Sequence, residues 1–145
     1  MSNPLYTPID KLHVPLANKL YKDHYPAGKA NKADRLWAVK ENSTWLGLIK
    51  YRDYERFTFM SAMLVVPERR GEGIASELIK ASISSCNLDV YCFAYEHLER
   101  LYVKNGFKVI DKSLLPNDLA TRFVRYTEQG GKKLLPMQYS VAECE

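Results

Sequence analysis

The chain has 145 residues, with 21 Lys+Arg, 17 Asp+Glu and three cysteines, and 46% of it is hydrophobic against 26% charged. At about 100–200 residues per domain this is material for a single domain, 1–145, with the mix of a globular rather than a disordered chain and enough length to fold without a disulfide or metal staple. The formal net charge of +4 is too small and too dispersed to argue for nucleic acid.

Leu5 to Pro8 reads as a short first strand between two prolines. Asp10 can cap a helix running to about Tyr21, with Leu12, Leu16 and Leu20 recurring every four residues on one face. Pro15 demands a kink or a late start. His24 to Lys32, rich in Gly, Pro, Asn and Lys, is a loop. Leu36–Val39, the turn Glu41–Ser43 and Trp45–Tyr51 make a hairpin signal. Phe57 to Val66 is a long apolar run suited to a strand buried on both faces, stopped by Pro67. Gly73 to Ser85 has helical spacing, with Ile74, Ala75, Leu78, Ile79 and Ile83 on the apolar face. A strand over Asp89–Phe93 and a helix over Glu96–Lys104 follow, the helix ended by Asn105-Gly106. Phe107–Ile110 is a strand. Pro116 or Asn117 opens a helix to Glu128, and Leu134–Val141 is a last strand. Strands first and β-α-β later predict an α+β or mixed α/β class.

Chemistry concentrates in Val65-Val66-Pro67-Glu68-Arg69-Arg70-Gly71-Glu72-Gly73-Ile74-Ala75. A buried strand runs into a glycine-bearing turn that opens a helix. The first N–H groups of a helix have no internal partner, and the helix dipole adds positive potential there. Gly71 and Gly73 lack a Cβ, so a bulky anion can approach the main chain, and Arg69 and Arg70 add charge. The segment is not G-x-x-x-x-G-K-[ST], nor G-x-G-x-x-G, because Ile74-Ala75-Ser76 follows the glycines. Neither a nucleoside triphosphatase nor a dinucleotide oxidoreductase is favoured; the turn suits a pyrophosphate.

Arg70-Gly71-Glu72-Gly73-Ile74-Ala75 resembles the Q/R-x-x-G-x-G/A signature of the GNAT superfamily of acyl-CoA-dependent N-acyltransferases. Leu101-Tyr102-Val103-Lys104-Asn105-Gly106-Phe107 is similar to the family's second hallmark, a helix tyrosine running into Gly-Phe. One helix and one strand separate the two, as in the family, and the likeness covers roughly Leu5 to Ile110. It implies a mixed, mostly antiparallel sheet flanked by helices, with a splayed strand pair that binds acyl-CoA. It implies transfer of an acetyl group from acetyl-CoA to a primary amine, by direct attack in a ternary complex and with no metal. By the same resemblance Met63, Leu64 and Val65 bind the pantetheine arm through their main chain. Arg70, Gly71, Glu72, Gly73, Ile74, Ala75 and Ser76 take the pyrophosphate. Tyr102 protonates the leaving thiolate, and a phenol with a pKa of about 10 suits a sulfur of comparable basicity.

Two positions depart from the family. Tyr95 stands where many members carry an Asn, and no carboxylate lies between Arg56 and Pro67 to act as general base. Glu55, Asp53 and Glu96 are candidates for that role, each also readable as a solvated surface charge. The missing carboxylate supports an alternative, a catalytically silent CoA-binding or sensing module. A third reading, an acyltransferase acting on aminoacyl-tRNA, has only the +4 charge behind it.

The acceptor is expected to be a small-molecule amine or a protein or peptide amine, with no nucleic acid and no membrane, and a homodimer is admitted. Lys29, Lys32 and Arg35 make the first loop basic, which suits an acidic acceptor or simply a solvated cluster. Tyr51, Tyr54 and Phe57 line a pocket or cover a strand edge. Cys86, Cys92 and Cys144 contain no C-x-x-C and His13, His24 and His97 are isolated, so no zinc site is expected. No apolar run approaches the ~20 residues of a membrane span, and Met1-Ser2-Asn3-Pro4 opens neither a signal nor a transit peptide. The expectation is a cytosolic protein.

Overall fold

Pro15 decides where the first helix begins. In the computed structural model, which describes residues 3–141, the Asp10 carboxylate accepts the Leu12 N–H at 2.9 Å and caps a 3-10 turn, Lys11–His13. The α-helix α1 then runs Val14–His24, with Pro15 in its first turn, where an absent N–H costs nothing. Of the expected Leu12/Leu16/Leu20 face only Leu20 packs on the core, while Leu12 is 84% and Leu16 53% exposed. Ala17 and Tyr21 are buried instead, because the small Ala17 lets the helix lie close on Ala38, Leu48 and Leu64. Cys144 lies outside the described residues.

Seven strands among the described residues form one sheet: β1 (Leu5–Pro8), β2 (Asp34–Glu41), β3 (Thr44–Asp53), β4 (Thr58–Val65), β5 (Val90–Tyr95), β6 (Lys108–Val109) and β7 (Leu134–Tyr139), in the order β1-β2-β3-β4-β5-β7-β6. All neighbours are antiparallel except β4 and β5. The C-terminal strand therefore inserts between β5 and β6. The helices α2 (Ile74–Ile83) and α3 (Glu99–Val103) pack on one face through Ile74, Leu78, Ile79, Ile83 and Tyr102. The other face is covered by α1 and by α4 (Asn117–Val124), whose Leu119 and Phe123 meet Phe59 and Ile110. Two expected helices are shorter than their spacing predicts. Glu96–Leu98 is a 3-10 turn ahead of α3, and α4 passes into a π-helical turn, Arg125–Gln129.

Two irregularities in β4 shape everything near it. β4 pairs with β5 only at Thr58↔Val90 and Phe59↔Tyr91, so from Met60 onward the two strands part. On its other side, the register with β3 shifts between Lys50↔Ser61 and Leu48↔Leu64, which leaves one extra residue in β4. This is a β-bulge, and Ala62 within it has φ +54°.

Candidate functional site

The parting of β4 and β5 opens a cavity on each side of the bulge. Met63, Leu64 and Val65, beyond the bulge, line a cavity of about 500 Å³ together with Arg69, Arg70, Gly71 and Gly73 from the turn and Ile74, Ala75 and Ser76 from α2. Leu98, Leu101, His97 and Lys104 close its far side. Met60, Ser61 and Ala62, before the bulge, line a second cavity of about 300 Å³. Tyr25 is the residue that lines both.

In the first cavity, the N–H groups from Gly71 to Ser76 donate to no carbonyl among the described residues; the first bond of α2 is Glu77 N–H to Gly73 O at 3.1 Å. Gly71 and Gly73 have φ of +83° and +82°, which an L side chain adopts only at a cost, and a Cβ at either would meet nothing within 4 Å. The protein leaves that space open, so a cradle of amides faces a gap at the positive end of a helix. Asn105 ties the second motif to this cradle: its Nδ2 donates to Ser76 Oγ at 3.1 Å and to Leu101 O at 2.8 Å. The cavity residues and chemistry fit the phosphates and pantetheine arm of a CoA ester.

The charges are arranged differently from the expectation. Arg69 is neutralised by Glu41 and Glu72, at 3.0 Å each. Glu72 is occupied in that pair and does not line the cavity. Arg70 Nε donates to Val65 O at 3.0 Å, bracing the end of β4. Lys104, absent from the expected set, lines the cavity and has no carboxylate partner among the described residues. A basic residue three positions ahead of Phe107 was the available signal.

Tyr102 is buried against Phe107, ring centroids 5.7 Å apart, behind the Leu98 and Leu101 that face the cavity, and it lines neither cavity. Burial raises its phenol above the ordinary range, and nearby Cys92, Tyr25 and Tyr51 raise it further. Burial likewise raises Tyr25, with Tyr95 and Tyr126 adding to the shift. Both phenols stay protonated at neutral pH, and burial takes Tyr102 away from the match with thiol basicity that an ordinary phenol has.

None of the three candidate bases faces either cavity. Asp53 is gripped by Arg35, one arm at 2.9 Å, and accepts the Thr58 hydroxyl at 2.7 Å. The Arg35 contact holds its carboxyl below the usual range, against a smaller opposing effect of burial. Glu55 lines only a separate surface hollow with Tyr54, Phe57 and Asp118, and Glu96 lines neither cavity. Of the aromatic trio, Tyr51 is buried in the core and shares a 2.7 Å hydrogen bond with Ser82 Oγ, whereas Tyr54 lines the second cavity and stacks on Phe57. Tyr95, in the place of the family's Asn, lines the second cavity. Among the described residues there is no cluster of His, Cys, Asp and Glu able to hold a metal, and no helix long and apolar enough to cross a membrane.

Comparison with known families returns a match to the acetyltransferase (GNAT) domain over residues 14–138. That span extends past Ile110 and takes in β7 as far as Gln138. No curated protein sequence matches. Among solved structures, N-acetylglutamate synthase from Neisseria gonorrhoeae, complexed with coenzyme A and N-acetyl-glutamate, superposes with a TM-score of 0.74 at 9% identity. The match covers 97% of this chain and 36% of that one, so the chain spans about a third of that protein's length. NAA60 from Arabidopsis thaliana, in complex with acetyl-CoA, gives a TM-score of 0.66 at 16% identity, over 97% of this chain and 99% of that one. YhbS from Escherichia coli, in complex with CoA, gives 0.69 at 13% identity, over 99% and 84%.

Proposed function

Since the chain belongs to the GNAT acetyltransferase family, we propose that it transfers an acetyl group from acetyl-CoA to a primary amine in a ternary complex. The observation that carries this reading is the pair of cavities that meet at Tyr25, one lined by an amide cradle and the other by polar and aromatic side chains. Bound acetyl-CoA supplies an acyl thioester. The residues that would hold it are Met63, Leu64 and Val65 along the arm and the main chain from Arg70 to Ser76 at the phosphates, with Lys104 as an added cation.

In the transfer the amine nitrogen bonds to the acetyl carbon, the C–S bond breaks, the nitrogen gives up one proton and the sulfur takes one. The chain's part is to hold the two reactants on either side of the bulge, keep water out and supply that last proton. Tyr102 is the donor that the family resemblance implies. A specific observation favours a second, Tyr25, which lines both cavities where Tyr102 lines neither. With Asp53, Glu55 and Glu96 lining neither cavity, the amine enters with its ammonium proton already lost, and the proton that it sheds on forming the C–N bond replaces the one that the phenol gives to sulfur.

The test is thiol release from acetyl-CoA against a panel of amines, alongside calorimetric titration with acetyl-CoA. Saturable amine-dependent release is expected. Binding without release on any amine overturns the transferase reading in favour of a CoA-binding module.

A further inference from the structure

The second cavity has an unbalanced charge. Lys50, Arg52, Arg122 and Lys132 line it, with Asp34 as the one carboxylate among the described residues. Asp34 is buried, its side chain 1% exposed, and its oxygens are already engaged: Arg52 Nε at 2.7 Å, the Asn31 N–H at 2.9 Å and Lys50 Nζ at 4.0 Å. Arg52 spends a second arm on Asn31 Oδ1 at 2.8 Å, and Lys50 donates to Lys29 O at 2.9 Å. Asp34 thus answers Arg52 and Lys50 and nothing beyond them.

Arg122 and Lys132 have no carboxylate partner among the described residues. Arg122 donates to Tyr54 Oη at 2.9 Å and lies over the Phe59 ring at 5.8 Å, so its guanidinium is oriented with donors to spare. Lys132 lies over the Tyr126 ring at 5.3 Å. Positive charge gathered in a partly enclosed, aromatic-walled space is unfavourable until an anion enters. Burial, and then Arg52 and Arg122, lower the Lys50 ammonium, with Asp34 opposing. A cavity of about 300 Å³ is at the small end for a small-molecule site.

We propose that this cavity takes a small amine that also carries a carboxylate or phosphate, with Arg122 and Lys132 as the cations that bind the anionic group. The inference rests on the acyl-transfer reading, and it places the acceptor's charge on residues different from the Lys29, Lys32 and Arg35 of the first loop. Arg35 is consumed by Asp53, and Lys29 and Lys32 line neither cavity. The planar fork of Arg122 suits either oxyanion.

The experiment measures acetyl-CoA binding first, then kcat/KM for matched pairs: L-amino acids against their α-carboxamides, and O-phosphoethanolamine against ethanolamine. At least one anionic member is expected to exceed its neutral twin by about tenfold or more, the size of a charge-assisted hydrogen bond. The two kinds of pair separate carboxylate from phosphate. Arg122→Met is expected to erase the difference by raising KM for the anionic member, Arg122→Lys to restore part of it, and both to keep the affinity for acetyl-CoA. If acetyl-CoA itself does not bind, the acyl-transfer reading falls and this inference with it. If it binds and neutral or polycationic amines are used as well as anionic ones, or if only peptides react, this inference alone is overturned.

Discussion

The phenol of Tyr21 donates a 2.9 Å hydrogen bond to the carbonyl of Ala62, joining the last turn of α1 to the bulge of β4. The bond holds the strand at the residue where it leaves one cavity and enters the other. Ala62 has a backbone conformation that costs a non-glycine residue about 1–2 kcal/mol, so the bulge persists because its surroundings hold it. Tyr21→Phe leaves that carbonyl unpaired and should lower stability by about 1 kcal/mol, a fall of about 2–4 °C in Tm for a chain near this size. KM for acetyl-CoA should rise in the same variant. A thermal melt with an unchanged midpoint and unchanged KM would show that the bond does not hold the bulge.

Gly73→Val separates backbone strain from cradle filling when paired with Gly131→Val. Both positions have positive φ and open space around a Cβ, but Gly131 lies away from the cofactor cavity. Each should lose about 1–2 kcal/mol of stability from strain. Only Gly73→Val should weaken acetyl-CoA binding, by about tenfold or more for blocked amide contacts. Calorimetry on the two proteins reads the difference, and equal affinities would remove the pyrophosphate from this turn.

The two phenols are distinguished by kinetics. The resemblance predicts that Tyr102→Phe lowers kcat by about 10²–10⁴, the range for lost general acid catalysis, with KM for acetyl-CoA nearly unchanged. If Tyr25 is the donor, the loss moves to Tyr25→Phe, and Tyr102→Phe shows a change in melting temperature with kcat retained. A rate plot against leaving-thiol basicity in both variants checks the assignment.

Charge near the phosphates should come from Lys104 rather than from Arg69, whose charge is met by Glu41 and Glu72. Lys104→Met is expected to weaken acetyl-CoA severalfold at low salt, with the difference shrinking toward 1 M, where the Debye length falls to about 3 Å. Arg69→Met should change affinity less than Lys104→Met at every salt concentration. Titrations across a salt series test this ordering.

The Asp53–Arg35 pair sets a direction for pH. Asp53 has a carboxyl lowered in the folded state, chiefly by Arg35. Its contribution to stability is therefore fully present above the unfolded carboxylate value near 3.9 and is lost as pH falls through the lower folded value. Asp53→Asn should flatten the acid limb of a Tm-against-pH curve below about pH 4 and leave its shape near pH 7 as it was. The pair is partly exposed, so the effect is modest.

The fold was legible where local chemistry is decisive. Pro67 ends β4 where expected, Pro15 delays α1, and Gly71 and Gly73 shape the turn into α2. The stripe of Leu12, Leu16 and Leu20 misled because a four-residue repeat says only that side chains share a face; which face packs depends on Ala17 fitting close to the sheet. The first cavity was readable because most of its wall is one continuous segment, Met63 to Ser76. The second cavity was not, since its wall is gathered from β2, β3, β4, β5, α4 and the residues before β7. Lys50 and Arg52 did carry a signal, two cations on alternate positions of a buried strand that must face the same way. Arg122 and Lys132 carried none until the chain closed over them.

The insertion of β7 between β5 and β6 also orders events during synthesis. Among the described strands β6 pairs with β7 alone, and the edge of β5 that faces away from β4 stays open over Val90–Tyr95 until Leu134–Tyr139 has been made. A nascent chain that has completed the amide cradle still lacks a strand, with an apolar edge that invites pairing with a neighbouring chain. Docking of β7 closes that edge and, in the same movement, brings Lys132 and Leu134 to the wall of the second cavity. The wall of the second cavity is thus completed by the same strand that covers the edge of β5.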